Sequence, residues 1–135
     1  GGTQAGLVAG CALAGVRTRV IGISADEPAA SLSADVRRIL DGLVDLIGPG
    51  GPHARTLAEA KIEIDDRFVG DGYGVPTPES REAIELVART EALFLDPTYT
   101  AKAMAGLIAQ IRSKVFQETE TVLFWHTGGQ VGMFA

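Results

Sequence analysis

GGTQAGLVAGCALAGVRTRVIGISADEPAASLSADVRRILDGLVDLI, residues 1–47, carries three elements in a row, and their order decides the fold. From Thr3 to Ala14 the residues are small, and Leu7, Val8, Cys11 and Leu13 fall close to helical spacing, with Gly15 placed as a C-terminal stop. Arg19 to Ser24 reads RVIGIS, a short and largely apolar β-branched run of the kind that is buried on both faces of a parallel sheet. Asp26, Glu27 and Pro28 then open a helix in which Leu32, Val36, Ile39, Leu40, Leu43, Val44 and Ile47 recur at steps of three and four. Gly48-Pro49-Gly50-Gly51-Pro52 ends it.

Downstream, the same alternation continues. Lys61 to Asp65 suits a short strand, Gly70 to Pro78 is a Gly/Pro loop, and Pro78 to Arg89 is a helix with Glu79 and Glu82 favourable in its first turn. Leu93 to Leu95 is expected as a brief strand and Tyr99 to Arg112 as a helix with Met104, Leu107, Ile108 and Ile111 on one side. Val122 to Trp125 is expected as a final strand, running into His126-Thr127-Gly128-Gly129. Helices alternating with short apolar strands predict an α/β fold, a parallel open sheet with helices on both faces. At 135 residues and 46% hydrophobic content the chain suits a single domain over residues 1–135.

A net charge of −5 and the lack of any Lys or Arg run argue against nucleic acid as a partner. The apolar opening, Gly1 to Gly15, contains Gln4 and is too short to span a bilayer, so no membrane partner is expected. Cys11 is the only cysteine, which excludes an internal disulfide framework and fits a reducing, cytoplasmic setting. His53 and His126 lie far apart in sequence, so no metal site is expected. The chain opens without a methionine, on a glycine pair of the sort that follows a strand, which leads us to expect a strand upstream.

Open α/β sheets bind ligands at the carboxyl ends of strands and the amino ends of helices. Three features fall there: the Gly1-Gly2-Thr3 turn, the loop around Tyr73, and Tyr99-Thr100 together with His126-Thr127-Gly128-Gly129. Glycines at a helix start let backbone N–H groups approach an anion, and the Thr3 hydroxyl adds a donor. On spacing alone this is evenly balanced against a plain strand-to-helix turn. No Gly-Lys-Ser/Thr follows, so it is not a nucleotide P-loop. Tyr73 and Tyr99 read, on their own, as surface tyrosines, and His126 reads more readily as a hydrogen-bonded core histidine than as a catalyst.

Four segments carry a resemblance: GGTQAGLVAG (1–10), GYGVPTPE (72–79), ARTEALFLDPTYTAKAMAGL (88–107) and VLFWHTGG (122–129). Together they resemble the pyridoxal-phosphate family that contains D-cysteine desulfhydrase and 1-aminocyclopropane-1-carboxylate deaminase, related in fold to the tryptophan synthase β subunit, a fold type II enzyme. The order and spacing are those of the C-terminal part of that family. The resemblance implies that Gly1, Gly2 and Thr3 hold the phosphate of pyridoxal 5'-phosphate, and that Tyr73 and Tyr99 are the catalytic tyrosines flanking cofactor and substrate. It also implies that Thr100 faces the cofactor ring where the ring-opening deaminase has Glu. A hydroxyl holds a protonated pyridine nitrogen less well than a carboxylate, which weakens the electron sink and suits a substrate with a good leaving group. Thr127 stands where the deaminase pattern has Leu.

Both positions therefore imply β-elimination of D-cysteine to pyruvate, hydrogen sulfide and ammonia. Within the enzymes, 1-aminocyclopropane-1-carboxylate deaminase and L-cysteate sulfo-lyase are the alternatives; outside them, the alternative is an α/β module that binds a phosphate-bearing ligand. The implied partners are a small amino-acid substrate and, in the full-length enzyme, a second copy of the chain. Lys61, Lys102 and Lys114 read as surface residues, with Lys102 turning outward on its helix. The cofactor-bearing lysine is expected upstream, so this chain is expected to be inactive alone.

Overall fold

The computed structural model describes residues 1–129. In chain order it has α1 (Gly2–Leu13), β1 (Ile21–Ile23), α2 (Ala29–Ile47), α3 (Pro52–Ala58), β2 (Glu63–Asp65), α4 (Pro78–Glu91) and α5 (Thr100–Arg112). β1 and β2 pair as a two-stranded parallel sheet, so the chain has the expected α/β class. Contacts divide it into two units: Gly1–Gly22 with Pro28–Ile64, and Ile23–Glu27 with Asp65 onward.

The first unit is built on α1, α2 and α3. Ala5, Val8 and Ala9 from α1, Val36 and Leu40 from α2, and Leu57 from α3 form its core, with Ala12, Leu13, Val20, Leu43, Val44, Ala60 and Ile62 packed around them. Leu40 and Leu57 are almost fully buried, and each contributes about 1.5–3 kcal/mol by leaving water. α2 begins after Pro28 and stops at Gly48, whose φ of 103° is open to glycine and closed to most other residues. α3 stands where the Gly/Pro run suggests only loop. Pro52 serves as its first helical residue, and the Arg37 guanidinium donates to the Leu57, Ala58 and Ala60 carbonyls at its end. Gln4 is buried at the start of α1, and its Nε2 donates to the Glu63 carbonyl at 2.7 Å.

The second unit packs α4 on α5, with Ala83, Val87, Leu95, Ala101, Met104 and Ala105 as its core and Phe68, Ile84, Leu107, Ile108 and Phe124 around it. α4 opens on a capping box: the Thr77 hydroxyl accepts from the Ser80 N–H, and the Ser80 hydroxyl accepts from the Thr77 N–H. Gln110 of α5 donates to Asp65, which Arg67 also holds, and these donors keep the Asp65 carboxyl down at about 2.

Two expected strands do not form. Leu93–Leu95 and Val122–Trp125 run as irregular backbone, joined by a contact between His126 Nε2 and the Phe94 carbonyl at 3.2 Å. A strand needs a ladder partner as well as β-branched or aromatic residues. The described sheet has two strands and supplies no partner here, so Phe94, Leu123 and Trp125 stay more than half exposed.

Candidate functional site

In the first unit, α1 begins directly at Gly2 with Gly1 as its N-cap. The first N–H groups of a helix have no intrahelical acceptor, and here no side chain caps them and no acidic residue sits in the first turn. Gly1, Gly2 and Thr3 are exposed, and there is open space where a Gly2 side chain would stand. Uncapped backbone donors at the positive end of a helix suit an anion. The donor set therefore fits a phosphate group.

In the second unit, Tyr73 and Tyr99 come together although they are far apart in sequence. Their hydroxyls share a hydrogen bond, and their rings meet edge to face with centroids 5.6 Å apart. Both phenols are about half exposed. Tyr73 sits between Gly72 at φ 139° and Gly74 at φ 72°, so the loop that presents it depends on both glycines. The Tyr73 hydroxyl is the chief cause that holds the Tyr99 phenol above its ordinary pKa, followed by partial desolvation, with smaller contributions from Asp26 and Asp96.

Asp96 fixes the other tyrosine. Its carboxylate accepts from the N–H groups of Thr98, Tyr99 and Thr100 at 3.0, 2.7 and 3.0 Å, and from the Thr100 hydroxyl at 2.6 Å. The carboxylate thereby satisfies the N–H groups of the N-cap residue Tyr99 and of Thr100, the first residue of α5, and the Asp96 carbonyl accepts from the Ala101 N–H at 3.0 Å. Burial pushes the Asp96 carboxyl up, but these bonds outweigh it and leave it below the ordinary carboxylate range. Thr100 is buried, and its hydroxyl also accepts from the Asp96 N–H at 2.8 Å. A side chain at Gly129 would collide with the Asp96 carboxylate, so glycine there is a steric need.

His126 is hydrogen-bonded, as expected, but it is only partly buried and lies outside the core of its unit. Its Nδ1 accepts from the Gly128 N–H at 3.1 Å, so Nε2 carries the hydrogen and donates to the Phe94 carbonyl. Thr127, beside it, is exposed.

Lys102 corrects the sequence expectation. Rather than turning outward, it is fully buried, and its Nζ donates to the carbonyls of Ala25, Val69 and Gly72 at 3.0, 2.7 and 2.8 Å. Helical side chains lean toward the amino end, which carries this one back past the start of α5 to the loops. Sequence offered no signal for it, because a lone lysine on an amphipathic helix reads as solvated. Asp96 did leave a signal, an Asp-Pro pair just ahead of a helix.

Among the described residues, no group of three His, Cys, Asp or Glu could hold a metal ion, and no helix is long and apolar enough to cross a membrane. Comparison with known proteins shows the family. The 1-aminocyclopropane-1-carboxylate deaminases of a Bradyrhizobium species and of Rhizobium leguminosarum are each 40% identical over 129 residues, 96% of this chain and 37% of theirs. That of Burkholderia cenocepacia is 37% identical over 135 residues, 100% of this chain and 39% of its own length. This chain thus spans well under half the length of these curated relatives. A crystal structure of a 1-aminocyclopropane-1-carboxylate deaminase homologue superposes with a TM-score of 0.66 and 28% identity, covering 87% of this chain and 34% of that one. The family model for pyridoxal-phosphate dependent enzymes matches residues 1–128, and the chain therefore belongs to that family.

Proposed function

We propose that this chain is the phosphate-gripping and tyrosine-bearing portion of a pyridoxal-phosphate lyase that deaminates a small amino acid, with 1-aminocyclopropane-1-carboxylate as the first-choice substrate. The relatives named for that reaction, at up to 40% identity, support the substrate. The observation that carries the chemistry is the pair of partly exposed phenols joined at the start of α5. Pyridoxal phosphate, when bound, supplies the electron sink that such a reaction needs.

The chain's own residues would divide the work as follows. The N–H groups of Gly2 and Thr3, with the Thr3 hydroxyl, bind the phosphate and so fix the cofactor's position. Tyr99, held above its ordinary pKa by the Tyr73 hydroxyl, keeps its proton at neutral pH and can offer it to a substrate carbon or leaving group. Tyr73 orients that proton, and Asp96 keeps the Tyr99 backbone in place. Lys102 is engaged by three carbonyls and is not free to carry the cofactor; on this reading the cofactor-bearing lysine belongs to the portion of the relatives that this chain does not cover.

A second reading, β-elimination of D-cysteine, is favoured by Thr100 and Thr127. Thr100 follows Tyr99 and has no ionisable group to hold a protonated ring nitrogen; its hydroxyl hydrogen is directed at Asp96. The full-length enzyme, supplied with each substrate in turn, separates the two. Ammonia with a four-carbon 2-oxo acid supports the deaminase; pyruvate with sulfide supports the desulfhydrase. Bound cofactor with turnover of neither would overturn both and leave a binding protein.

A further inference from the structure

We propose that Lys102 is a positioning residue: its ammonium acts as a built-in cation that ties the Tyr73 loop to the helix carrying Tyr99, and so holds the two phenols in register. A lysine ammonium has three N–H donors and no acceptor. Here it meets three main-chain carbonyls, Ala25 in the turn after β1 and Val69 and Gly72 in the loop before α4, all within 3.0 Å. Donors and acceptors match one for one, with no solvent exposure.

The location makes simple helix stabilisation an inadequate explanation. Lys102 lies in the first turn of α5, the positive end of the helix dipole, where a cation is disfavoured. A buried charge without partners is costly, so its retention at this end depends on the carbonyl cage. The geometry of the cage reaches directly to the tyrosines. Gly72 immediately precedes Tyr73 and also accepts from the Val75 N–H at 3.3 Å, which closes the loop tip around the ring. Tyr99 is three positions before Lys102 on the same helix start, so one side chain links the two backbones that set the hydroxyl separation.

This inference rests on the tyrosine pair being the reacting end of the site, yet it can be tested without turnover. In the full-length holoenzyme, Lys102→Ala opens the cage and Lys102→Met fills it with an apolar chain. Chlorides of ammonium and tetramethylammonium are compared at equal ionic strength. Ammonium can replace the missing head group; tetramethylammonium has no N–H and is too large. The expected result is a thermal midpoint of Lys102→Ala that rises saturably with ammonium and not with tetramethylammonium, while the parent responds equally to both.

Lys102→Met gives the second readout, an ultraviolet titration of the phenols. One midpoint should fall toward the free value of about 10, as it should in Tyr73→Phe, because Tyr99 loses the Tyr73 hydroxyl, the chief cause of its raised value. Equal responses of Lys102→Ala to the two salts would overturn the proposal. So would a folded Lys102→Met with the parent's tyrosine titration; if Lys102→Met does not fold, the ammonium comparison decides. A shifted titration in an enzyme that turns over neither substrate would sustain the clamp and sink only the assigned reaction.

Discussion

Replacing Asp96 by Asn keeps the shape of the side chain and removes half of what it does. The Oδ1 side can still accept from Thr98 and Tyr99, but the Oδ2 side becomes an amide donor facing the Thr100 N–H, which now bonds at 3.0 Å. A buried donor left unsatisfied costs about 1–3 kcal/mol, and Thr100 is only 5% exposed. Losing the negative charge at the head of α5 adds about 0.3–1 kcal/mol. Together these give about 1.3–4 kcal/mol, or roughly 10- to 1,000-fold in an opening equilibrium. The assay is amide hydrogen exchange at Thr100 and the rest of the first turn of α5 in full-length Asp96→Asn, where exchange should accelerate by that factor. A pH series adds a sign. Asp96 is held below its ordinary value, so its stabilisation is present above the unfolded carboxylate pKa and is lost as pH falls through the lower folded one. Asp96→Asn should lack that acid-dependent loss. First-turn amides no faster than the parent's would refute the assignment of Asp96 as the cap of this helix.

Leu57→Ala should destabilise the first unit by about 2–5 kcal/mol, read as a fall in the denaturation midpoint, because Leu57 is fully buried and its removal leaves a cavity. Asp65, at about 2 when folded against an ordinary 3.8, contributes stability that is complete above pH 3.8 and drains away toward pH 2. Its size is about 1–2 kcal/mol once the exposure of its partner Arg67 is allowed for, and acid titration of Asp65→Asn should show no such decline. Gly2→Asp places a carboxylate where the phosphate is proposed to sit, in open space and at a position that favours helices. Cofactor affinity should fall about tenfold or more with the melting temperature unchanged or slightly higher; unaltered affinity would move the phosphate elsewhere.

The helices were largely legible because their signals are local. Pro28 and Gly48 bracket α2, and the three- and four-residue steps between them name its buried face, of which Val36 and Leu40 are the centre. α3 was hidden by its own opening: the Gly-Pro run that ends one helix also places Pro52 at the first position of the next. The segments around Phe94 and Leu123 have strand composition, yet composition cannot supply a neighbour, and the described sheet holds two strands. At the site, the glycines around Tyr73 announce a special loop, whereas its meeting with Tyr99 is tertiary and left no trace in spacing. Lys102 was the furthest from legible, since three unrelated carbonyls make its burial possible and none of them is encoded in side-chain identity.

The packing of Gln4 against β1 has a consequence for how this sequence can vary. Any side chain at Gly22 would overlap the Gln4 amide, which is itself fixed by its bond to the Glu63 carbonyl. Positions 4 and 22 therefore cannot drift independently: a larger residue at 22 requires a shorter one at 4, which gives up the tether between the head of α1 and β2. Across homologues the two columns should covary, with glycine at 22 wherever glutamine is kept at 4.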